Sequence, residues 1–234
     1  MSYLERFVNA TVRALFRLVY IMDIDELQTL PPHGPGIILT NHTSNLEGPA
    51  YYVFMQPRPT TALGKIELWG NVATRFFMRL WGIIPVSRGK ADTRAMRRCV
   101  RALDRGHFLG MAPEGTRSIS ESLQRAHPGV ALLATMRRVP VYPIVHWGFR
   151  GAGACLRRLR RSRVVFRAGR PFYVKAAADS ESRPSASELR AITDEMMYQI
   201  AHLLPEQMRG HYSDLSRATT DHLEFIDRPR AGTT

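Results

Sequence analysis

Cysteine, metal-ligand clusters and long apolar runs are all scarce in this 234-residue sequence, and each shortage closes a class of function. Cys99 and Cys155 are the only thiols, they form no CxxC pair, and the first residues do not read as a secretory n-region and h-region, so no leader is expected. Two unpaired structural thiols in a reducing compartment are expected, not a disulfide-stapled scaffold. The eight histidines are scattered, with no HExxH and no close Cys/His group, so a metal site is not expected. No G-x-S-x-G elbow is present, which removes that route to a serine hydrolase and leaves only a serine outside the motif. "GIIPVSRGK" is not a phosphate loop: six residues separate Gly82 from Gly89, and Ala91 stands where a Ser or Thr would bind magnesium. Repeats and linker-like stretches are also missing, so a single domain is expected.

Acidic residues are too few to balance the basic ones, 20 against 33, leaving a formal net charge of +13. Such an excess implies an anionic partner: nucleic acid, a phosphorylated substrate or an anionic membrane. The amino-terminal "MSYLERFVNATVRALFRLVY" bears on that choice. At ~100° per residue, Arg6, Arg13 and Arg17 fall within about 40° of one another, while Leu4, Phe7, Val8, Leu15, Leu18 and Val19 gather on the other side. No uncharged apolar run approaches the ~20 residues that cross a bilayer, so this basic amphipathic helix either lies on a membrane or packs its apolar stripe on the core.

Beyond it, strand-like runs alternate with helical ones. "GIILT", "TTALGK", "GIIPV", "HFLGM", "PVYPIVHW" and "SRVVFRAG" read as strands. Helices are expected around Leu68–Trp81, Ala91–Arg105, "GVALLATM" and Ser185–Leu204. The second of these gathers Arg94, Arg97, Arg98, Arg101 and Arg105 on the side opposite Ala95, Cys99 and Leu103. This alternation predicts an α/β fold: a mostly parallel central sheet flanked by helices, with the amphipathic helix (residues 1–20) before an α/β core (21–204) and an extension (205–234) that wraps or frays.

Chemistry concentrates where strands run out into loops. In "TNHTSNLEGP", residues 40–49, His42 precedes Glu47 by five positions, about 140° apart on a helix, so the two can meet only across a turn. Arg88 and Lys90 follow the strand "GIIPV", and Glu114, Gly115, Thr116 and Arg117 follow "HFLGM". Loops after the carboxyl ends of parallel strands gather at one sheet edge, so these residues are expected to share a crevice. An imidazole beside guanidiniums suits a substrate with a proton to lose and a phosphate to hold. An exposed Glu114–Arg117 ion pair is the plainer alternative for the last pair.

"NHTSNLE", "GIIPVSRG", "APEGTRS" and "VPVYPI" resemble, in order, the four sequence blocks of the PlsC-type glycerolipid acyltransferases. The similarity extends to "ALGKIEL", a lysine-containing segment, and to "LLPEQMRGHY", covering about Leu18 to Tyr212. It implies transfer of an acyl chain from acyl-CoA or acyl carrier protein to the hydroxyl of glycerol phosphate or a lysophospholipid, at a membrane surface and without cofactor or metal. It implies His42 as general base and Glu47 as its partner, with Lys65, Arg88, Glu114, Gly115, Thr116 and Arg117 toward the acceptor and its phosphate. Glu47 is one methylene longer than the family's usual Asp, and Ala112 replaces a frequent aromatic. The expected acceptor is 1-acylglycerol 3-phosphate, with another lysolipid, a lipid-linked sugar or water as alternatives. The expected address is the cytoplasmic face of the membrane, with Leu4, Phe7, Arg13 and Arg17 in contact with anionic lipid. "CLRRLRRSR", residues 155–163, is the densest basic patch, suited to the membrane side or to the donor's phosphates. A nucleic-acid-binding protein is the rival from another class; its basic runs would lack interleaved aromatics and the His/Glu pair would have no task, so no nucleic-acid partner is expected.

Overall fold

The structure is a computed structural model that describes residues 2–87, 92–150, 152–157, 160–175 and 184–227. In chain order the strands are β1 (Tyr20–Asp23), β2 (Gly36–Leu39), β3 (Thr60–Lys65), β4 (Ile84–Val86), β5 (Phe108–Met111), β6 (Val141–Trp147), β7 (Ser162–Ala168), β8 (Phe172–Val174) and β9 (Leu223–Phe225). The helices are α1 (Tyr3–Val19), α2 (Glu47–Phe54), α3 (Val72–Leu80), α4 (Thr93–Asp104), α5 (Gly129–Met136), α6 (Ala152–Arg157) and α7 (Ala186–Leu203). The strands form one sheet in the order β1-β7-β6-β2-β5-β3-β4, with β8 and β9 branching from β6.

The stretch β6-β2-β5-β3-β4 is parallel throughout, while β7 and β8 run antiparallel to β6. Parallel strands need cover on both faces, and β2 shows it: all four of its residues are buried, with successive side chains sent to opposite layers. Ile37 and Leu39 join the cluster under α4, α5 and α7; Ile38 joins Phe16, Val53, Trp81 and Phe166 under α1 and α2. The helix on "GVALLATM" and the one ending at Leu203 appear where the periodicity predicts them. A capping box at Ser185 and Glu188 starts the latter.

One expectation changes, and one of two stated alternatives is decided. The "TNHTSNLEGP" segment is a loop only to Leu46; Glu47 opens α2, and Pro49 is tolerated because first-turn N–H groups need no intrahelical partner. The stretch after Pro205 does not fray within the described residues. Its Tyr212 is 1% exposed and hydrogen-bonds Asp194 (3.0 Å) on α7, and β9 pairs with β8.

The first helix sits on the core by an unexpected flank. Asn9 accepts a hydrogen bond from the Trp81 indole (2.9 Å), Glu5 accepts one from the Tyr52 hydroxyl (2.7 Å), and Phe16 is buried. Arg13 donates to the Val53 carbonyl at the end of α2 through Nη2 (2.6 Å), so its guanidinium is directed inward and not toward lipid as expected. The physical reason is the free carbonyls of a helix end, which attract a cation. Leu4, Phe7, Leu15 and Leu18 are left facing outward, the Phe7 side chain 71% exposed.

Candidate active site

Parallel register carries the carboxyl ends of β2, β5, β3 and β4 to one edge, since Leu39 is level with Met111 and Lys65 with Val86. From β2 the chain passes through Thr40 and Asn41 to His42. The Asn41 side chain works as a rung beyond the end of the strand: its amide donates to the His146 carbonyl (2.9 Å) and its oxygen accepts the His146 N–H (3.0 Å). His42 is fixed on the other side by β5 and the loop after it. Its N–H donates to Glu114 Oε1 (2.9 Å) and its carbonyl accepts from the Ser118 N–H (2.8 Å).

The imidazole of His42 is hydrogen-bonded through Nδ1 to Glu47 Oε1. Glu47 Oε2 accepts the backbone N–H groups of Thr43 and Ser44 (both 2.9 Å) and is met by His146 Nε2 at 2.7 Å. The carboxylate therefore lies between two imidazoles at the start of α2. Burial pushes its pKa up, but His146, by charge and hydrogen bond, and His42 together outweigh burial and hold it down at about 2. An ionised Glu47 requires a proton on His42 Nδ1. That leaves Nε2 as an acceptor, on a side chain 18% exposed.

His146 is absent from the sequence-based set of site residues. It is fully buried on β6, with Thr40 Oγ1 3.3 Å from Nδ1 and the Tyr51 ring edge-on to it. A signal was present in "PVYPIVHW": a titratable side chain inside an otherwise apolar, doubly covered strand needs a polar partner.

Glu114 is not paired with Arg117 and does not face the crevice with its carboxylate. It is 3% exposed, and its second oxygen accepts the Gln124 N–H (2.9 Å), so it staples two loops. The backbone N–H groups of His42 and Gln124, each donating to one Glu114 oxygen, explain why a buried carboxylate outcompetes a solvated ion pair at this position. Burial raises its pKa to about 7. Gly115 turns the chain beneath with φ +69°, and a Cβ there would meet the His127 ring at 3.1 Å. Thr116 and Arg117 are exposed at the rim. Lys65, at the end of β3, is half exposed and 3.3 Å from Glu67. Arg88 lies outside the described residues, as do Gly89 and Lys90.

The raised Glu114 pKa has a measurable sign. The folded state holds a proton that the unfolded state releases above its ordinary value of about 4.5, so folding stability falls as pH rises from there to about 7. Thermal unfolding of wild type and Glu114→Gln across pH 4 to 8 should show the variant gaining on wild type, by about 2–3 kcal/mol across that window. A pH-independent difference would mean that Glu114 titrates like a free carboxylate.

An imidazole held on a carboxylate at the carboxyl edge of a parallel sheet, inside the ordered blocks of the sequence, meets an independent finding: the family model described as Acyltransferase matches residues 22–147, more than half of the chain. The chain belongs to the acyltransferase family. Chloroplastic 1-acyl-sn-glycerol-3-phosphate acyltransferases of Brassica napus and Arabidopsis thaliana are each 26% identical to it over 132 residues, 55% of this chain. The chain spans about 38% and 36% of the length of those two relatives. The crystal structure of the 1-acyl-sn-glycerophosphate (LPA) acyltransferase PlsC from Thermotoga maritima superposes with TM-score 0.62 at 19% identity, covering 94% of this chain and 82% of that one. The acyltransferase family and an α/β fold like that of the Thermotoga maritima enzyme are thus established, and His42, Glu47 and His146 lie within the matched segment.

Proposed function

We propose that this acyltransferase moves a fatty acyl group from a thioester to the hydroxyl of a lysophospholipid, 1-acylglycerol 3-phosphate being the acceptor best supported. The observation that carries the reading is the hydrogen bond between His42 Nδ1 and Glu47 Oε1, which in a neutral ring makes Nε2 the acceptor. His42 takes the proton of the acceptor hydroxyl as its oxygen bonds to the thioester carbonyl carbon. Glu47 then faces an imidazolium, which its charge stabilises, and collapse of the tetrahedral intermediate breaks the C–S bond. The leaving thiolate recovers the proton from His42 Nε2. A thioester is already activated, so no acyl-enzyme is needed. The two plant relatives are named for acyl transfer to 1-acyl-sn-glycerol 3-phosphate, which supports the choice of acceptor. Arg117 and Lys65 stand at the same edge as candidate phosphate contacts, and Arg88 is proposed for that role from its block alone. Incubating the protein with labelled acyl-CoA and a panel of glycerol 3-phosphate, 1-acylglycerol 3-phosphate, zwitterionic lysolipids and a lipid-linked sugar tests this. The highest kcat/KM is expected for 1-acylglycerol 3-phosphate; thioester loss with no acceptor acylated would point to hydrolysis.

Membrane docking through α1 completes the reading. No helix among the described residues is long and apolar enough to cross a bilayer. The outward face of α1 carries Tyr3, Leu4, Phe7, Leu15 and Leu18, flanked by exposed Arg6 and Arg17. Arg161, from the basic patch, donates to the Arg17 carbonyl (3.0 Å), which brings that patch to the same end of the helix. We place this face in the headgroup region of the cytoplasmic leaflet. Vesicle co-sedimentation should rise with anionic lipid content and fall with salt. Replacing Phe7 and Leu18 by Ser should lower binding by about tenfold or more without unfolding, since neither is buried. Retained binding by that variant would return α1 to a purely structural role.

A further inference from the structure

The Glu47 carboxylate has four hydrogen-bond partners, and one alone comes from outside the segment that carries it. The His42 ring and the Thr43 and Ser44 N–H groups belong to the same short loop between β2 and α2, so they move with the carboxylate. His146 is the partner from the sheet. It stands on β6, which lies between β2 and β7, and places Nε2 2.7 Å from Glu47 Oε2. Its ring is caged: Tyr51 and Phe149 lie 5.6 Å away, centroid to centroid, and Phe166 5.9 Å. Nδ1 is met by Thr40 Oγ1 at 3.3 Å, that hydroxyl by Tyr51 Oη at 2.9 Å, and Tyr51 donates to the Ile144 carbonyl at 3.1 Å. A hydroxyl both donates and accepts, so this chain satisfies Nδ1 while Nε2–H is given to the carboxylate.

We propose that His146 is a positioning residue for acyl transfer: by donating from Nε2 to Glu47 Oε2 it ties the carboxylate to the sheet and keeps Oε1 on His42 Nδ1. The inference rests on the acyl-transfer reading of the His42 site. His146 has no exposed surface, so it touches no substrate and acts only through Glu47. The last torsion of a glutamate is broad, and a carboxylate holds one orientation only where its partners hold it. The same donor moderates the pull of Glu47 on His42. Without it the carboxylate favours the imidazolium more strongly, and a higher pH is needed to free the base. The titratable groups facing the two imidazoles are Glu47 and Tyr51 on α2 and Glu114 after β5; Phe149 and Phe166 bring no charge. Burial keeps Tyr51 protonated, and Glu114 is common to every variant below.

His146→Leu should lower kcat about tenfold, the effect of one lost charge-assisted hydrogen bond, with KM little changed. The acid limb of the kcat profile should move up by about half a pH unit. The variant orphans no buried group, since Thr40 and Tyr51 keep each other and Oε2 keeps two N–H donors. His146→Gln can place an amide N–H where Nε2 stood, with the Thr43 hydroxyl, 3.3 Å from that atom, free to donate to its oxygen. It should recover most of both losses. His146→Asn, whose amide reaches toward Thr40 but falls short of Glu47, should behave as Leu does, so the decision does not hang on one variant. In a Glu47→Asp background the His146→Leu loss should shrink, because the two residues act as one unit. Nitrogen-15 and proton NMR near pH 8 reads the contact without turnover: the His42 Nδ1–H resonance should move downfield in Leu and Asn and return toward wild type in Gln. An unmoved acid limb, a Gln variant as impaired as Leu, or additive losses with Glu47→Asp would each overturn the proposal, leaving His146 a packing residue. An identical resonance in all four proteins would do the same. If the resonance responds as expected but wild type acylates nothing, the reaction falls and the positioning contact stands.

Discussion

His42→Ala should lower turnover by ~10² or more while leaving the fold in place. Fold retention follows from where the residue is held. Its anchors to Glu114 and Ser118 are backbone groups, which alanine keeps, and its ring is not part of either apolar cluster. The loss should fall on kcat, with KM for both substrates little changed, because the ring acts on a proton in flight and not on a bound group. Single-turnover acyl transfer by the variant, with near-ultraviolet circular dichroism as the control for packing, checks it. A folded variant with wild-type turnover would remove His42 from the chemistry.

Glu47→Gln should cost nearly as much, for a different reason. In the wild type three donors converge on Oε2, from Thr43, Ser44 and His146, so the oxygen of the amide is drawn there and its NH2 is turned to His42. That NH2 can only donate. His42 Nδ1 becomes the acceptor, the ring proton moves to Nε2, and the nitrogen that should take the hydroxyl proton no longer has a free lone pair. A loss of ~10² or more in kcat is expected, the range for a positioned base. Glu47→Asp keeps both charge and tautomer and should retain far more activity than Gln, although the shorter side chain gives up reach toward His146. The ordering Asp above Gln, read from kcat at a pH near 8, is the decisive measurement; equal activity of the two would show that the tautomer is not set by this carboxylate.

Strands β2 to β7 and the two block loops were legible because they rest on local pattern: an apolar run between turn residues announces a buried strand, and polar residues at its end announce a site; β1, β8 and β9, three or four residues each, carry too little pattern and were not read. Glu47 at the start of α2 was harder, since Gly48 and Pro49 read as loop and are tolerated only in a first turn. His146 was not found because its partner is 99 positions away and the contact exists only once β6 lies beside β2. Glu114 was placed in the right loop, but which way its carboxylate points depends on Gln124, another nonlocal partner. For α1 the sequence showed an amphipathic helix without saying which side faces out. Asn9 and Arg13 decided that by finding Trp81 and the end of α2.

The Asn41 side chain, bonded to both backbone groups of His146, prolongs the sheet by one rung and places His42 at the end of it. The His42–Glu47–His146 cluster thereby inherits the stiffness of the strands, whereas Thr116 and Arg117 sit in an exposed loop outside that frame. Rim and frame can then diverge independently: a changed headgroup preference needs new side chains on the loop, with no reassembly of the reacting centre beneath it.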